Sequence, residues 1–340
     1  MSTSTGKKPA TRQQRLLALL ADGKFHSGEV LAGKLKVTRS AVWKIVQALR
    51  AQGIEVQAVP RQGYRLPLAV ELYERRAILE ALPLALRARV EQLDVMLQVD
   101  STNRYLADQP PPEVARTRVC VAEVQSAGRG RRGRTWIAPF GSGIALSLSW
   151  RFAESPPALP ALGLAVGVAI ARALEQWGAT EVGLKWPNDL LWKGRKLAGI
   201  LIEVTGESAG PTRVVIGVGL NVRMPPQVRL ALAEQQAALV ADLTEMLRQR
   251  LPDRNLLVAS IIEHLIAVLD VFALRGFAAF AAEWRAHDAL AQAAVKVVSG
   301  NESVTGIAQG VADDGALLVD VQGVQRRYIS ADVSLRAVKV

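Results

Sequence analysis

A chain of 340 residues, half of them apolar, is too long for one ordinary core, so two or three domains are expected. Its one cysteine, Cys120, excludes an intramolecular disulfide framework and suits a reducing cytoplasm, and His26, His264 and His287 lack the spacing of a zinc site, so no metal centre is expected. The net charge of +11 is uneven: residues 1–66 hold 12 Lys/Arg against 3 Asp/Glu, the composition of a nucleic-acid-binding module on a nearly neutral body.

No apolar stretch follows the N-terminal charges, so no signal peptide is expected. The uncharged run Ser155–Ala171 is interrupted by Pro and Gly and falls short of the ~20 residues a membrane span needs. A cytoplasmic protein with no membrane partner follows.

Residues 1–10 are expected to be disordered. Thr11–Ala21 predicts a short helix stopped by Asp22-Gly23. Ser27 caps a second helix, with Glu29 in its first turn and Val30, Leu31 and Leu35 turned inward. Thr38 caps a third, over 39–52, which Gly53 ends; Val42, Ile45, Val46 and Leu49 form its apolar stripe. Arg39, Trp43, Gln47 and Arg50 then lie outside, with Ser40 and Lys44 beside them. Two capped helices about one short turn apart make a helix-turn-helix, and 54–59 with 63–66 around Pro60-Arg61-Gln62 make a two-stranded wing. A three-helix protein-interaction domain is the alternative. The charge asymmetry favours DNA, read by Arg39, Ser40, Trp43, Lys44 and Gln47.

Pro67 begins a linker, and Glu74–Leu82 reads as a helix. Strand Val95–Val99 runs into Asp100-Ser101-Thr102-Asn103, small polar residues that either cap a helix or donate to a ligand. Strand Val119–Gln125 feeds the segment Gln125-Ser126-Ala127-Gly128-Arg129-Gly130-Arg131-Arg132-Gly133-Arg134-Thr135-Trp136. Its glycines let backbone approach a ligand and its arginines offer planar forks to anions. A solvated basic tract is the alternative; attachment to the buried strand Ile144–Trp150 favours a ligand lid.

Helix Leu159–Trp177 follows, then Lys185-Trp186-Pro187-Asn188-Asp189 and a hairpin over 190–201 turning at Lys193-Gly194-Arg195. Strand Arg213–Val218 ends in Gly217-Val218-Gly219-Leu220-Asn221. Residues 228–285 read as helical. From Val295 on, apolar runs alternate with turns at Ser299-Gly300-Asn301 and Asp313-Asp314-Gly315, as in a small β-barrel.

The Gly/Arg segment lacks P-loop spacing, and although it fits G-x-G-x-x-G by count, no acidic residue follows as a dinucleotide site requires. What remains is a cationic set, Arg129, Arg131, Lys185 and Lys196, with amides Gln125, Asn188 and Asn221 and the carboxylate Asp189. Such a set stabilises developing negative charge, as in nucleotidyl or phosphoryl transfer.

Gln125–Trp136, Lys185–Asp189, Arg195–Ile200 and Gly217–Asn221, in this order, resemble the biotin protein ligases, and Ser101-Thr102-Asn103 sits where that family has the same triplet. With the helix-turn-helix ahead, nearly the whole chain is similar to the bifunctional ligases that also repress the biotin operon. Lipoate ligases share the general fold without the Gly/Arg loop. The resemblance implies an α+β protein: a winged helix-turn-helix over 1–66, a mixed-sheet, class II synthetase-like catalytic domain over 67–288, and an SH3-like β-barrel over 289–340. It implies biotin and ATP as substrates, Mg²⁺ with the ATP, biotinyl-5′-AMP as intermediate, and the biotin carboxyl carrier protein of acetyl-CoA carboxylase as acceptor.

By the same resemblance Ser101, Thr102, Asn103, Gln125, Arg129, Gly130, Arg131 and Lys196 hold biotin. Arg131, Lys185, Asn188 and Asn221 form the ATP side, and Lys196 with Arg131 offsets the repulsion of the two anions. Asp189 orients or deprotonates the acceptor amine, or is simply a turn residue; Lys185 has the alternative of a strand-end charge. No Phe, Tyr or Trp lies between Asn221 and Phe272, which leaves aliphatics such as Val222 or Leu230 to cover the adenine. A helix-turn-helix reads a half-site, so a homodimer is expected on operator DNA when the adenylate is bound. A ligase whose DNA-binding domain does not regulate, and a ligand-sensing transcription factor without ligase activity, remain as alternatives.

Overall fold

The computed structural model describes residues 11–206, 210–236, 239–248, 251–299, 302–329 and 333–337; the expectations for residues 1–10 and for the turn at Gly300-Asn301 lie outside these. The chain divides into two compact units, Met1–Leu72 with Pro139–Gly141, and Tyr73–Ala138 with Ser142–Val340.

In the first unit, helix α1 (Arg12–Leu20) starts from a reciprocal cap: Thr11 Oγ1 accepts from Gln14 N, and Gln14 Oε1 accepts from Thr11 N at 2.9 Å. Ser27 and Thr38 cap α2 (Gly28–Leu35) and α3 (Arg39–Ala51) from one side only, each accepting from the backbone three residues on. Leu16, Leu17, Leu20, Leu31, Leu35, Val42, Val46 and Leu49 close the core between them. Val30 does not join it. The inward side of the eight-residue α2 is set by Leu31, Ala32 and Leu35, which leaves Val30 48% exposed. The wing has three segments, not two: β1 (Gln57–Val59) pairs with β2 (Gly63–Arg65), and His26 bridges to Tyr64. Gly63, at φ 109°, is forced by that third segment, because a Cβ there would overlap His26 O.

The second unit begins with α4 (Arg75–Ala81) and α5 (Leu84–Arg87). There follow β3 (Val90–Val99), α6 (Thr102–Ala107), β4 (Thr117–Gln125), β5 (Gly143–Phe152), α7 (Leu162–Glu175), β6 (Gly183–Lys185), β7 (Asp189–Trp192), β8 (Arg195–Gly206) and β9 (Thr212–Asn221). The strands form one sheet in the order β3-β4-β5-β9-β8-β7-β6, parallel between β3 and β4 and antiparallel elsewhere, so it is mixed as the resemblance implies.

Register divides the two faces. Val121, Leu146, Val218 and Ile200 lie in one row across the sheet and join the core with α7 and with α10 (Arg254–Arg275). Their neighbours form the opposite row, Ala122, Ala145, Gly219, Gly199 and Asp189, and the next row on that side contains Cys120, Ser147, Gly217 and Leu201. One face is thus packed by helices, and the other is nearly bare of side chains at its centre.

The expected helical stretch 228–285 is broken into α8 (Pro226–Gln236), α9 (Leu243–Met246), α10 and α11 (Ala281–Ala286). Asp253 starts α10 by accepting from Asn255 N and Leu256 N, while Lys196 N donates to Leu239 O at 2.8 Å and holds that connection extended. Helix α10 is long and apolar enough to cross a membrane, but it is mostly buried inside the fold. The C-terminal strands β10 (Ala294–Ser299), β11 (Glu302–Val311), β12 (Leu317–Val321), β13 (Val324–Tyr328) and β14 (Val333–Ala337) form an antiparallel sheet in the order β13-β12-β11-β10-β14. Val295, Val297, Ala308, Leu317 and Val319 share the core of α7 and α10, so this sheet belongs to the second unit.

Candidate active site

The Gly/Arg segment is a closed hairpin. Ser126 N and Ala127 N donate to Val99 O and Asp100 O, both at 2.9 Å, fixing its root beside Ser101. Trp136 N donates to Gly128 O at 2.9 Å, Gly130 N to Arg134 O at 2.7 Å, and Arg129 bridges Thr135. Arg132 turns the tip in the left-handed region at φ 58°. Gly128 is required here, since a Cβ would overlap Trp136 O.

From this hairpin Trp136 reaches back onto the bare sheet face. A Cβ on Gly219 would overlap its indole, and one on Gly199 would stand 3.2 Å from both Trp136 Cζ3 and Lys196 Cε. Lys196 Nζ lies 5.7 Å from the Trp136 ring centre and 2.6 Å from Asp189 Oδ1. Trp136 Nε1 is buried without a hydrogen-bond partner. The glycines of the sequence motifs therefore form a floor on which the indole lies, with ammonium and carboxylate beside it.

A second cluster adjoins the floor at the start of α6. Ser101 occupies the N-cap position but its side chain makes no cap hydrogen bond, so the capping alternative fails for it. Instead Gln125 Oε1 accepts from Thr102 N at 2.8 Å, and Thr102 Oγ1 lies 3.2 Å from the same oxygen. Ser147 Oγ donates to Asn103 Oδ1 at 2.6 Å and stands 2.7 Å from Thr102 Oγ1. Asn103 Nδ2 donates to Glu203 Oε2 at 2.9 Å and to Leu201 O at 3.3 Å. Asn103 Oδ1 fills the place of a Cβ on Gly217.

Several sequence-predicted residues are placed differently from expectation. The Arg129 guanidinium meets Glu203 at 2.9 Å, not an open anion site. Asn221 is buried, and its amide nitrogen donates to Lys196 O at 3.2 Å and Ala241 O at 3.1 Å, fastening β8 to the 239–241 segment. Asn188 Nδ2 donates to Ile200 O at 2.8 Å, while its Oδ1 accepts from Arg131 Nη1 at 3.4 Å. Lys185 is half-buried in β6, opposite Asp189 in register. Val222 is buried in the core and so cannot cover a base, whereas Leu230 is 66% exposed.

Sequence reasoning missed Ser147 and Glu203. Both had a signal: stepping by two from Gly199 gives Leu201 and Glu203, and the serines of the apolar run Ile144–Trp150 fall on alternate positions. It also missed the buried pair beneath the hairpin's far root. There Arg254 Nη1 donates to Glu123 Oε2, and Arg254 Nη2 and Tyr73 Oη donate to Gly143 O, all at 3.0 Å.

On α3, Arg39, Ser40 and Lys44 are exposed, Trp43 is 54% exposed and Gln47 half-buried, so the five sequence-predicted residues reach the surface. Arg39 pairs with Glu29 at 3.1 Å, and Arg50, also exposed, donates to Val56 O.

Comparison with known proteins follows the same division. The Biotin/lipoate A/B protein ligase family matches residues 95–221, an HTH domain family residues 12–65, and the Biotin protein ligase C terminal domain family residues 294–336. The Bifunctional ligase/repressor BirA of Escherichia coli (strain K12) is 38% identical over 330 residues, covering 97% of this chain and 99% of that one. That of Bacillus subtilis (strain 168) is 30% identical, covering 93% and 95%. The structure of the biotin protein ligase from Aquifex aeolicus in complex with biotin and ATP shares the fold, with TM-score 0.59 at 24% identity over 73% of this chain and 100% of that one. At these identities, and over nearly the whole length of each, the chain belongs to the family of bifunctional biotin protein ligases and repressors.

Proposed function

We propose that the chain attaches biotin to a lysine of the biotin carboxyl carrier protein of acetyl-CoA carboxylase, and that with the intermediate bound it represses transcription from operator DNA as a homodimer. On this reading residues 1–66 are the DNA-binding module, 67–288 the catalytic body and 289–340 an appended sheet, in a cytoplasmic protein. The observation that carries it is the glycine floor ringed by Trp136, Lys196 and Asp189 beside the Thr102–Gln125–Ser147–Asn103 cluster. It accepts a flat apolar body at one end and an anion at the other.

In the first half-reaction a carboxylate oxygen of biotin attacks the α-phosphorus of ATP. The new bond is acyl C–O–P, the Pα–O–Pβ bond breaks, and pyrophosphate leaves with its electron pair. Lys196 and Arg131 stabilise the negative charge that gathers there, and Asn188 steadies Arg131. Asn221 acts through the backbone of Lys196. Lys185, opposite Asp189 in register, is assigned to the ATP side, and Mg²⁺ bound with the ATP would screen the phosphates. Ser101, Thr102, Gln125 and the Gly130 backbone meet the polar head of biotin, while Asn103 and Arg129 hold the surrounding walls.

In the second half-reaction the acceptor amine attacks the acyl carbon, an amide forms and AMP departs. The proton lost from nitrogen passes to Asp189. Closure of the hairpin with Trp136 keeps water from the mixed anhydride meanwhile. Incubation with labelled biotin and ATP tests the reading: an acid-labile, enzyme-bound adenylate is expected, chased onto carrier protein when that is added. Absence of the adenylate overturns it. Transfer without any effect of biotin and ATP on operator affinity would leave a ligase with a DNA-binding domain that does not regulate.

A further inference from the structure

Glu203 joins two parts of the site. Its Oε1 lies 2.9 Å from Arg129 Nη1 on the first arm of the Gly/Arg hairpin, and its Oε2 accepts from Asn103 Nδ2 at 2.9 Å. The Asn103 carboxamide is then bonded on both ends, since Nδ2 also donates to Leu201 O and Oδ1 accepts from Ser147 Oγ. With Oδ1 pressed against Gly217, that amide cannot turn over without losing its acceptor. Arg129, for its part, is bridged to Thr135, so a hold on Arg129 is a hold on the whole hairpin.

We infer that Glu203 is a positioning residue: a latch that keeps the hairpin down through Arg129 and sets the Asn103 carboxamide, without touching the reacting atoms. Its identity as a latch over biotin rests on the proposed function; its grip on the hairpin is a property of the free protein. The Arg129 and Glu203 side chains are 52% and 28% exposed, so the pair belongs with moderately screened ion pairs, whose loss changes an opening equilibrium by about fivefold at most.

Trypsin reads that equilibrium without any ligand, because Arg131, Arg132 and Arg134 stand at the tip, and cleavage follows the open fraction when reclosing is fast. Glu203→Gln, nearly isosteric, keeps an acceptor for Asn103 and loses the charge facing Arg129. It should raise cleavage after these three arginines by about threefold to fivefold. Combining Arg129→Glu with Glu203→Arg should return cleavage toward the wild-type rate. Wild-type cleavage in Glu203→Gln, or no recovery in the swapped protein while its melting curve is unchanged, overturns the latch.

The Asn103 half has its own readout. Glu203→Ala should raise the KM for biotin well above that of Glu203→Gln, whereas both should release adenylate faster than wild type. Equal KM in the two variants overturns this half. Should wild type form no adenylate, the biotin-ligase reading falls, and the tryptic comparison still decides the latch.

Discussion

Lys196 Nζ stands 2.6 Å from Asp189 Oδ1, so the cation proposed to face the α-phosphate is held by a carboxylate. In the proposed mechanism the two half-reactions use one pair in sequence: the ammonium first faces phosphate, and the carboxylate is later free to take a proton. Lys196→Ala should cut adenylate formation by about 10²–10³. Asp189→Asn should mainly slow transfer to carrier, by about 10². Single-turnover measurement of each step separates them, and a larger loss in the first step for Asp189→Asn would reverse the assignment.

Arg131 ties the hairpin tip to Asn188 at 3.4 Å. Arg131→Gly should still synthesise adenylate but release it faster, and the escaped intermediate should label nearby lysines without selection. Retention of bound adenylate as long as in wild type, measured by rapid gel filtration, would remove the lid role.

The floor makes a sharper claim. A methyl at Gly217 would overlap Asn103 Oδ1 and one at Gly219 would overlap the Trp136 indole. Gly217→Ala should weaken biotin binding by about 10²-fold, as overpacking of about 1–3 kcal/mol predicts, while Gly219→Ala should displace Trp136 and speed adenylate loss. Calorimetric titration with biotin checks the first; unchanged affinity would show that the wall yields.

Much of this was legible in the chain. Caps at Ser27 and Thr38 act within one turn, so residue type fixed those helix starts. The hairpin at Lys193-Gly194 and the strands around it follow from period and turn chemistry. What local pattern could not show was side-chain destination. Arg129 reads as an anion fork until β8 brings Glu203 beside it, and Asn221 reads as a ligand amide until Leu239–Ala241 pairs alongside Lys196. The third wing segment at His26 was missed for the same reason, its partner Tyr64 being distant in sequence, whereas Val30 lies outside because Leu31, Ala32 and Leu35 set the inward side of α2.

Asp288, half-buried after α11, has its carboxyl pKa raised by burial, partly offset by the Leu290 N–H that donates to it. The native state therefore binds this proton more tightly than the unfolded chain. Stability should fall as pH rises from the ordinary carboxylate value of 3.8 through the raised native one. Asp288→Asn keeps the acceptor without the charge, so it should be the more stable protein near neutrality and lose that advantage below about pH 4. Urea unfolding at several pH values measures this, and a pH-independent difference would refute it.

On α3, Trp43→Ala or Lys44→Ala should weaken operator binding and leave biotin transfer intact. Biotin with ATP should tighten operator binding in wild type, and added salt should weaken it steeply. A truncation designed to abolish DNA binding is better cut after Leu72 than after Leu66, because Val70 N donates to Ala21 O and Gly23 packs on Ala69. Fluorescence anisotropy with operator DNA reads each case; indifference to biotin and ATP would uncouple the two functions.

Gly199, Gly217 and Gly219 also bear on how this protein can change over generations. Every substitution at a glycine adds at least one carbon, and here that carbon meets Lys196, Asn103 or Trp136. Drift in this face is therefore hindered at the glycines, and adaptation to a bulkier or smaller ligand must enter through the side chains beside them, such as Ser147 and Glu203. The part of the site with the least chemistry is the part least free to evolve.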